Sequence, residues 1–173
     1  MITKPTLSHG WLDTYIAKIE ITLLLDAFEK YSNSAAQFYS ELPAAAWDFS
    51  YAPGKWTIKE ILLHLTDCER VFIYRALMFA RGETNPLPGF DEDMLVANSY
   101  ASGRTVHSLL DERFAVRNAS IEFYKNLDPK AALLMGTANN SQMCAAGLGF
   151  SMLGHELHHI EVIRDRYLPM FAH

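Results

Sequence analysis

The sequence has little cysteine, no excess of positive charge and no long apolar run, and each absence excludes a class of protein. Two cysteines in 173 residues do not make a disulfide framework, a pattern typical of the reducing cytoplasm. The net charge of −5 argues against a general affinity for nucleic acid, which needs a basic surface. The apolar runs are far shorter than the ~20 residues that span a membrane. The N-terminal sequence also lacks the apolar core of a signal peptide, so we expect a cytoplasmic protein with no membrane partner.

The composition is that of a folded domain with an ordinary core. Hydrophobic residues make up 50% of the chain and charged residues 20%, which excludes disorder as the default state. Because domains contain about 150 residues as a rule of thumb, we expect residues 1–173 to form one domain.

Apolar residues recur at helical spacing along most of the chain. The first such stretch covers residues 11–42 and stops at Pro43, with a bend or break expected near Glu20. The second begins at Thr57, where Thr57-Ile-Lys-Glu60 has the form of a capping box, and it predicts a helix over residues 57–81.

The second half of the chain predicts two further long helices. Residues 82–104 form an irregular stretch, which is either a functional loop or a cover for one end of the molecule, and a short helix can begin after Asp91. Thr105 is placed to cap a third long helix, and residues 143–168 predict a fourth. Four amphipathic helices predict an all-α four-helix bundle with essentially no β-sheet.

Histidine is the residue type that stands out, because three of the seven histidines crowd into Gly154-His-Glu-Leu-His-His159. On a helix, His155 and His159 project from one face a turn apart, where both imidazoles can bind one metal ion. They also fall on the apolar stripe of the fourth helix. Two buried imidazoles need partners, and metal ligation supplies them. The alternative is a pair of hydrogen-bonded core histidines.

A third ligand has to come from elsewhere in the chain, and His64 is the best candidate. It lies at the edge of the apolar face of the second predicted helix, followed one turn later by Cys68. Three imidazoles and one open position are the composition of a catalytic metal site. Taken alone, a histidine at position 64 is more often a hydrogen-bonded core residue than a ligand, and the paired histidines reverse that preference. Cys68 can approach the metal, although a small buried apolar residue is its commoner role. His158 is expected at the rim of the site.

The acidic residues near these histidines have more than one possible role. His155, Glu156 and His159 match the H-E-x-x-H pattern, in which the Glu of a zinc protease acts as general base. We expect no protease, because such enzymes usually draw a third ligand from farther downstream. Only 14 residues follow His159 here, and His173 is the one further histidine among them. Glu156 is nevertheless the candidate catalytic base. Glu69 can orient a ligand imidazole, or it can pair with an arginine such as Arg75 or Arg81.

Several segments resemble the DinB/YfiT-like bundle proteins of the DinB superfamily. Each is weak alone, but their order and spacing together are specific, and they cover nearly the whole chain. These segments are residues 53–70, 74–81, 87–93, 136–139, 154–160 and 166–168.

The resemblance implies a four-helix bundle of DinB/YfiT-like topology and a metal site made of His64, His155 and His159. Zinc or nickel is the common ion in this family, with water at the open position. Some relatives are thiol-dependent enzymes, either mycothiol-dependent maleylpyruvate isomerases or transferases that use bacillithiol or a similar thiol. The implied function is therefore a metal-dependent transfer or isomerisation that acts on a small electrophile with a low-molecular-weight thiol. The alternatives are a metal-dependent hydrolase of a small substrate and a non-catalytic metal- or ligand-binding stress protein.

The resemblance also implies an oligomeric state, and the sequence differs from its relatives at the start of the last helix. Many relatives look dimeric, so we expect a homodimer through an exposed apolar face that carries Trp11, Tyr15 or Phe114. Where relatives tend to carry Ser and Arg near the start of the last helix, this sequence has Cys144 and Ala146. Cys144 is then either a helix cap or a reactive thiol.

Overall fold

The computed structural model describes residues 1–6 and 9–171. These residues are mostly helical and form the predicted four-helix bundle, built from the long helices α2, α3, α5 and α6. No described helix has the length and apolar character needed to cross a bilayer. The α-helices are α1 (Asp13–Ile16), α2 (Leu24–Ser40), α3 (Ile58–Ala80), α4 (Glu92–Ala97), α5 (Val106–Lys125) and α6 (Ala145–Val162). Short 3-10 turns lie at Gly10–Leu12, Ala44–Ala46, Ala101–Gly103, Ala131–Leu133 and Leu168–Phe171.

Side-chain caps set the starts of three helices where the sequence predicts them. Thr57 and Glu60 form the capping box of α3, with Thr57 Oγ1 accepting from Glu60 N at 3.2 Å and Glu60 Oε2 accepting from Thr57 N at 2.7 Å. Thr105 caps α5, and Asp91 caps the short helix α4. Each cap satisfies a backbone N–H that has no partner within its helix, so the boundaries follow from local sequence.

The first predicted helix is divided in the structure, because α1 ends at Ile16 and α2 begins at Leu24. The backbone of α1 packs directly on α6 at Gly154, where a Cβ atom would lie 2.0 Å from the carbonyl oxygen of Tyr15. Leu23 then pairs with Thr3 in an isolated β-bridge. The break near Glu20 therefore lets α1 cross α6 next to the histidines while α2 takes its own place in the bundle.

A short β-hairpin precedes α6, and the expectation of essentially no sheet is wrong to that extent. Strands β1 (Met135–Ala138) and β2 (Ser141–Cys144) are antiparallel. The turn between them is Asn139-Asn140, and both residues have positive φ, 48° and 58°, as a tight hairpin turn with this handedness requires. Helix α6 consequently starts two residues later than predicted.

The last predicted helix also ends differently. After Val162 the chain widens into a π-helical turn over Ile163–Tyr167. The buried Tyr167 hydroxyl donates a hydrogen bond of 2.6 Å to the carbonyl oxygen of Trp56, just before α3. This contact ties the end of α6 to the start of α3.

The core consists of two apolar clusters with a polar layer between them. On α3, Ile61 and Leu65 belong to one cluster, whereas Phe72 belongs to the other. On α6, Met152 belongs to the second cluster and Ile160 to the first. Both helices therefore change cluster at the same level of the bundle. The candidate metal ligands lie at that level.

Candidate metal centre

The structure brings together the three histidines that the sequence singles out. His64 on α3 and His155 on α6 approach with their Nε2 atoms 3.2 Å apart. The Nε2 atoms of His155 and His159 are 3.1 Å apart, one turn along α6. One ring nitrogen from each residue lies within 4.8 Å of the other two. Their role as metal ligands stays a prediction, but the geometry it needs is present.

The spacing of these nitrogens suits a metal ion better than hydrogen bonding. Two imidazole ligands at Zn–N distances of about 2.0–2.1 Å stand roughly 3.0–3.4 Å apart, depending on the angle at the metal. The Nε2 atom of His155 faces two other Nε2 atoms at 3.1 and 3.2 Å, yet a neutral imidazole nitrogen can make only one good hydrogen bond. In addition, Nδ1 of His159 is buried without a hydrogen-bond partner among the described residues. A cation at the centre would engage all three lone pairs at once.

Burial keeps the three imidazoles neutral at physiological pH. It lowers the pKa of His64 to about 4 and that of His159 to about 3. For His155, burial together with the neighbouring His159 and His64 lowers the pKa well below its usual value. A neutral imidazole offers the lone pair that a metal needs, so the cluster does not have to lose protons before it binds an ion at pH 7.

Aromatic rings hold the histidines in place. The Trp56 ring lies 4.7 Å from the ring of His64, and the Tyr15 ring lies 5.0 Å from that of His155, both measured between centroids. Tyr15 reaches this position because α1 packs on α6 at Gly154. These contacts limit rotation of the imidazoles and shield them from bulk water, which strengthens electrostatic interactions at the site.

Two cavities flank the histidine cluster. A first cavity of about 250 Å³ is lined by all three histidines and by Cys68, together with several aromatic residues. A second cavity of about 290 Å³ is lined by His158 and His159 and by Lys55. The two share Trp56, His158 and His159. The first cavity therefore reaches all three histidines of the cluster, whereas the second reaches His159 alone among them.

His158 and Cys68 lie beside the cluster without joining it. His158 is half-buried at the wall shared by the two cavities, with its ring 5.1 Å from that of His159, so it lies at the rim as predicted. Cys68 Sγ lies 3.6 Å from Nδ1 of His64, and burial above all raises the pKa of this thiol to about 12. Its Sγ also lies 3.7 Å from Nε2 of the same imidazole, so Cys68 is a neutral thiol beside the nitrogen that faces the other two histidines.

Cys144 acts as a helix cap, one of the two roles considered for it. Its Sγ accepts a hydrogen bond of 3.4 Å from the backbone N–H of Gly147 and lies 3.2 Å from Nε2 of His9. The residue is buried, and burial raises the pKa of its thiol, which argues against a reactive cysteine.

Glu156, the candidate base, is buried among arginines. Its Oε1 accepts hydrogen bonds from Arg113 Nε at 3.1 Å and from the Tyr39 hydroxyl at 3.2 Å, and its Oε2 accepts from Arg117 Nη2 at 2.9 Å. Glu156 is not one of the described residues that line the two cavities beside the histidines. Its carboxylate is thus occupied away from the open space, and the catalytic role stays a prediction.

Glu69 belongs to the same buried cluster of charges. It accepts hydrogen bonds from Arg113 and Arg117 on α5, not from the neighbouring arginines of α3 that the sequence suggested. Burial alone would raise the pKa of Glu69, but the two guanidinium groups lower it to about 2. The sequence analysis missed both arginines. Their signal was available, because Arg113 and Arg117 are four residues apart on the stripe of α5 that also carries the buried Leu109 and Tyr124.

The three residues expected at a dimer face do not lie on one surface feature. Trp11 and Tyr15 line the first cavity, while Phe114 is partly exposed on α5. Trp11 is as exposed as Phe114, at 38% against 36%, so the homodimer and the face that forms it stay a prediction.

Comparisons with known proteins agree with this architecture. The family model described as the DinB superfamily matches residues 27–163. Among solved structures, YfiT from Bacillus subtilis is similar with a TM-score of 0.69, at 16% sequence identity, over 97% of this chain and 92% of that one. That protein is described as "a probable metal-dependent hydrolase with an unusual four-helix bundle topology". None of the curated proteins matches the sequence significantly. The likeness confirms the predicted bundle fold.

Proposed function

The chain belongs to the DinB superfamily, and from this premise we propose that it is a metal-dependent enzyme whose divalent ion is held by His64, His155 and His159. One observation carries the proposal: three neutral imidazole nitrogens converge, 3.1–3.2 Å apart in two pairs, at the wall of an open cavity. Three protein ligands leave at least one position for another molecule, which is the arrangement of a catalytic site. Three imidazoles suit zinc, nickel, iron or copper, and the family resemblance favours zinc or nickel among them.

The residues around the cluster point to chemistry that depends on the ion. A divalent ion supplies Lewis acidity there, which makes a thiol or a water molecule nucleophilic at neutral pH. Cys68 is a poor nucleophile, since its thiol is buried and protonated. Trp56 and Tyr15 fix the imidazoles and restrict water. The protein's contribution is therefore to hold the ion, orient two reactants and limit solvent.

The reaction we favour is the transfer of a low-molecular-weight thiol to a small electrophile. The two cavities share His159 of the candidate ligands, together with Trp56 and His158, so each can hold one reactant beside the site. Small biological thiols commonly carry carboxylates, and Lys55 in the second cavity is placed to pair with one. The first cavity, with its aromatic walls, would hold the electrophile. This assigns the thiol to the Lys55 side and its acceptor to the aromatic side.

A metal-dependent hydrolase is the second candidate, and the similarity to YfiT favours it. A single substrate that crosses both cavities would then present its scissile bond at the histidines, with water as the nucleophile. Both candidates share the same metal ligands. They differ in whether a thiol is consumed.

The test compares the two reactions on one preparation. The protein is stripped with a chelator, reloaded with zinc or nickel, and assayed for loss of free thiol with cysteine, glutathione or bacillithiol and a small electrophile. Hydrolysis of p-nitrophenyl esters is assayed in parallel. We expect metal-dependent thiol consumption that His64→Ala abolishes and that the exposed control His107→Ala preserves.

Each other outcome has a definite meaning. Ester hydrolysis without thiol consumption would favour the second candidate. Neither reaction, in a protein that still binds metal, would favour a non-catalytic metal-binding protein. Activity that survives removal of the metal would overturn the proposal.

A further inference from the structure

Arg75 on α3 is a buried cation without an ionic partner. The residue is 2% exposed. Its Nη2 donates a hydrogen bond of 2.8 Å to the carbonyl oxygen of Pro88, whereas its Nη1 is buried with no hydrogen-bond partner among the described residues. Arg113 and Arg117, the other buried arginines of the described chain, are each held by two buried carboxylates. Arg75 therefore differs from them in keeping both a charge and a donor unsatisfied.

Such a group is costly to keep in the interior. Taking an ion out of water is unfavourable unless an opposite charge and hydrogen bonds repay it. Burial lowers the pKa of Arg75, and it is the neighbouring Cys68, not a carboxylate, that opposes this effect. The unpartnered Nη1 adds a second cost, because a buried donor loses its hydrogen bonds with water. An anionic acceptor from outside the chain would repay both costs.

The guanidinium lies behind the wall of the first cavity, the one that reaches all three histidines. Phe90 and Cys68 both line this cavity. The guanidinium carbon of Arg75 is 5.5 Å from the centroid of the Phe90 ring. Burial above all raises the pKa of Cys68, and Arg75 is one of the groups that lower it, so the two side chains are close. The unsatisfied donor is therefore separated from the cavity by the side chains of Phe90 and Cys68.

Helix periodicity places Arg75 on the same face of α3 as His64 and Cys68. Counted from His64, Cys68 and Arg75 are rotated by roughly 40° and 20° about the helix axis. Arg75 lies roughly 16 Å farther along that axis, and a long helical side chain leans towards the N-terminus of its helix. The guanidinium therefore reaches back towards Cys68, so the candidate metal ligand and the unpaired cation face the same side of α3.

Phe90 is the part of this wall that can move. It is half-buried, and its neighbours Gly89 and Asp91 are exposed. A ring carried by an exposed segment between α3 and α4 can turn aside more easily than a side chain in the middle of a long helix. Displacement of this one ring would open the first cavity towards Nη1 of Arg75.

The remaining walls of the cavity suit an apolar body with an anionic end. The centroids of Trp11 and Tyr15 are 6.1 Å apart with their planes at 88°, so the two rings enclose space instead of stacking. Phe72 extends this apolar surface. Glu92, the lining carboxylate, is exposed, so water and salt screen its charge. Arg75 is buried and is screened far less.

We propose that Arg75 is the anion-binding residue of the first cavity, and that the molecule held there is a small apolar or aromatic carboxylate. Its carboxylate accepts a hydrogen bond from Nη1 of Arg75 when the Phe90 ring turns aside, and its body lies along the aromatic walls towards the histidines. A guanidinium matches a carboxylate in both charge and shape. The identity of the reacting end, beside the histidines, rests on the proposed function, whereas the binding of a carboxylate at Arg75 does not.

The test measures binding without turnover. Benzoate, benzyl alcohol and benzyltrimethylammonium are titrated by calorimetry into the metal-depleted protein at pH 7, so that benzoate cannot bind through a metal. The three histidines are neutral at this pH, which leaves Arg75 as the buried cation beside the cavity. We expect benzoate to bind roughly tenfold to a hundredfold more tightly than the alcohol, the size of a buried charge-assisted hydrogen bond, and the ammonium ion to bind least.

Two variants on α3 provide a matched comparison. Arg75→Met should lower the affinity for benzoate by roughly tenfold or more and leave that for the alcohol unchanged. Arg81→Met removes the same charge from the exposed residue that ends α3, and should leave both affinities unchanged. Arg75→Lys keeps the charge without the planar fork, so it should retain more of the preference for benzoate than Arg75→Met does.

A third variant tests the path to the guanidinium. Phe90→Ala removes the ring that covers Arg75, so it should raise the affinity for benzoate relative to that for the alcohol. A fall in that ratio would contradict the role of Phe90 as a cover. A merely structural role for Arg75 would change the two affinities together, and would not alter their ratio.

Failure here is distinguishable from failure of the proposed function. Equal binding of benzoate and benzyl alcohol by the parent protein, or equal effects of Arg75→Met and Arg81→Met, would overturn the assignment of Arg75. The comparison on the parent protein needs no variant, so it decides the matter even where a variant fails to fold. Neither result would change the metal-dependent activity or its loss in His64→Ala.

Discussion

Arg113 holds Glu156 by two contacts, with Nε 3.1 Å from Oε1 and Nη2 3.1 Å from Oε2. The third nitrogen of the same guanidinium, Nη1, lies 2.5 Å from Oε2 of Glu69. Glu156 follows His155 directly on α6, and Glu69 lies on α3 beyond His64. One buried arginine of α5 therefore joins the two helices that carry the candidate metal ligands.

The first prediction concerns this arginine. Arg113→Met should lower the free energy of unfolding by about 3–5 kcal/mol, because it leaves two buried carboxylates with fewer partners. Chemical denaturation measures the change. The control Arg70→Met removes an exposed arginine that pairs with Asp67 and Glu112, and should cost less than about 1 kcal/mol. Equal losses in the two variants would contradict the cluster's structural role.

The second prediction separates a catalytic from a positioning role for Glu156. A general base typically contributes about 10²–10⁴ in rate. Because its carboxylate is held by Arg113 and Arg117, we expect Glu156→Gln to reduce stability but to change activity per metal-loaded molecule by less than about tenfold. Activity against pH, with metal content and unfolding measured on the same samples, checks this. A large loss of rate at unchanged stability and metal content would instead support the base.

The third prediction concerns the metal ligands. His64→Ala, His155→Ala and His159→Ala should each abolish tight binding, since two imidazoles and water make a weak site. His158→Ala should leave the metal content unchanged, because its ring lies at the rim. Metal content is measured after chelator treatment and reloading. Tight binding by His64→Ala together with its loss in His158→Ala would point to a local site on α6 instead.

The fourth prediction is a pH dependence of the metal-free protein. Burial lowers the pKa of His64 to about 4, whereas an unfolded histidine has a pKa of about 6.5. Between these values the unfolded chain binds more protons than the folded one. The stability contributed by neutral His64 is therefore complete above pH 6.5 and is lost as the pH falls towards 4, by roughly 1.4 kcal/mol per pH unit.

Denaturation of the metal-free protein at several pH values measures this slope. His64→Gln should make the slope shallower by about one proton, roughly 1.4 kcal/mol per pH unit, because His155 and His159 remain buried and neutral in the variant and still contribute. The exposed control His107→Gln should keep the parental slope. An unchanged slope in His64→Gln would show that this histidine is not held neutral in the folded protein.

Local sequence is enough to predict an interaction when the residues that it joins lie within about one helical turn of each other. Thr57 and Glu60 are three positions apart, and their reciprocal hydrogen bonds could be anticipated as the start of α3. His155 and His159 are four apart, so their shared face follows from helix geometry alone. The hairpin contradicts the expectation of no sheet although its signal is local, because the Asn139-Asn140 turn joins two strands of only four residues each.

Contacts between distant segments needed the tertiary structure. His64 could be nominated from its place on an apolar face, but its distance of 3.2 Å from His155 depends on how α3 packs against α6. The same packing decides that Glu69 pairs with Arg113 rather than with an arginine of its own helix. For both His64 and Glu69, the sequence contains several residues that could serve as the interaction partner. Only the packing of helix faces, driven by burial of apolar surface across the whole chain, selects one.

Local sequence specifies the helical architecture, the caps that begin three helices and the histidine pair of α6, because these depend on side chains and backbone groups a few residues apart. The tertiary structure alone decided that Glu156 faces arginines and not open space, and that Trp11, Phe90 and Glu92 from separate segments line one cavity beside the histidines. Those outcomes depend on where α1, α4 and α5 dock on α3 and α6. Such docking is a property of the whole packed chain, so no single segment encodes it.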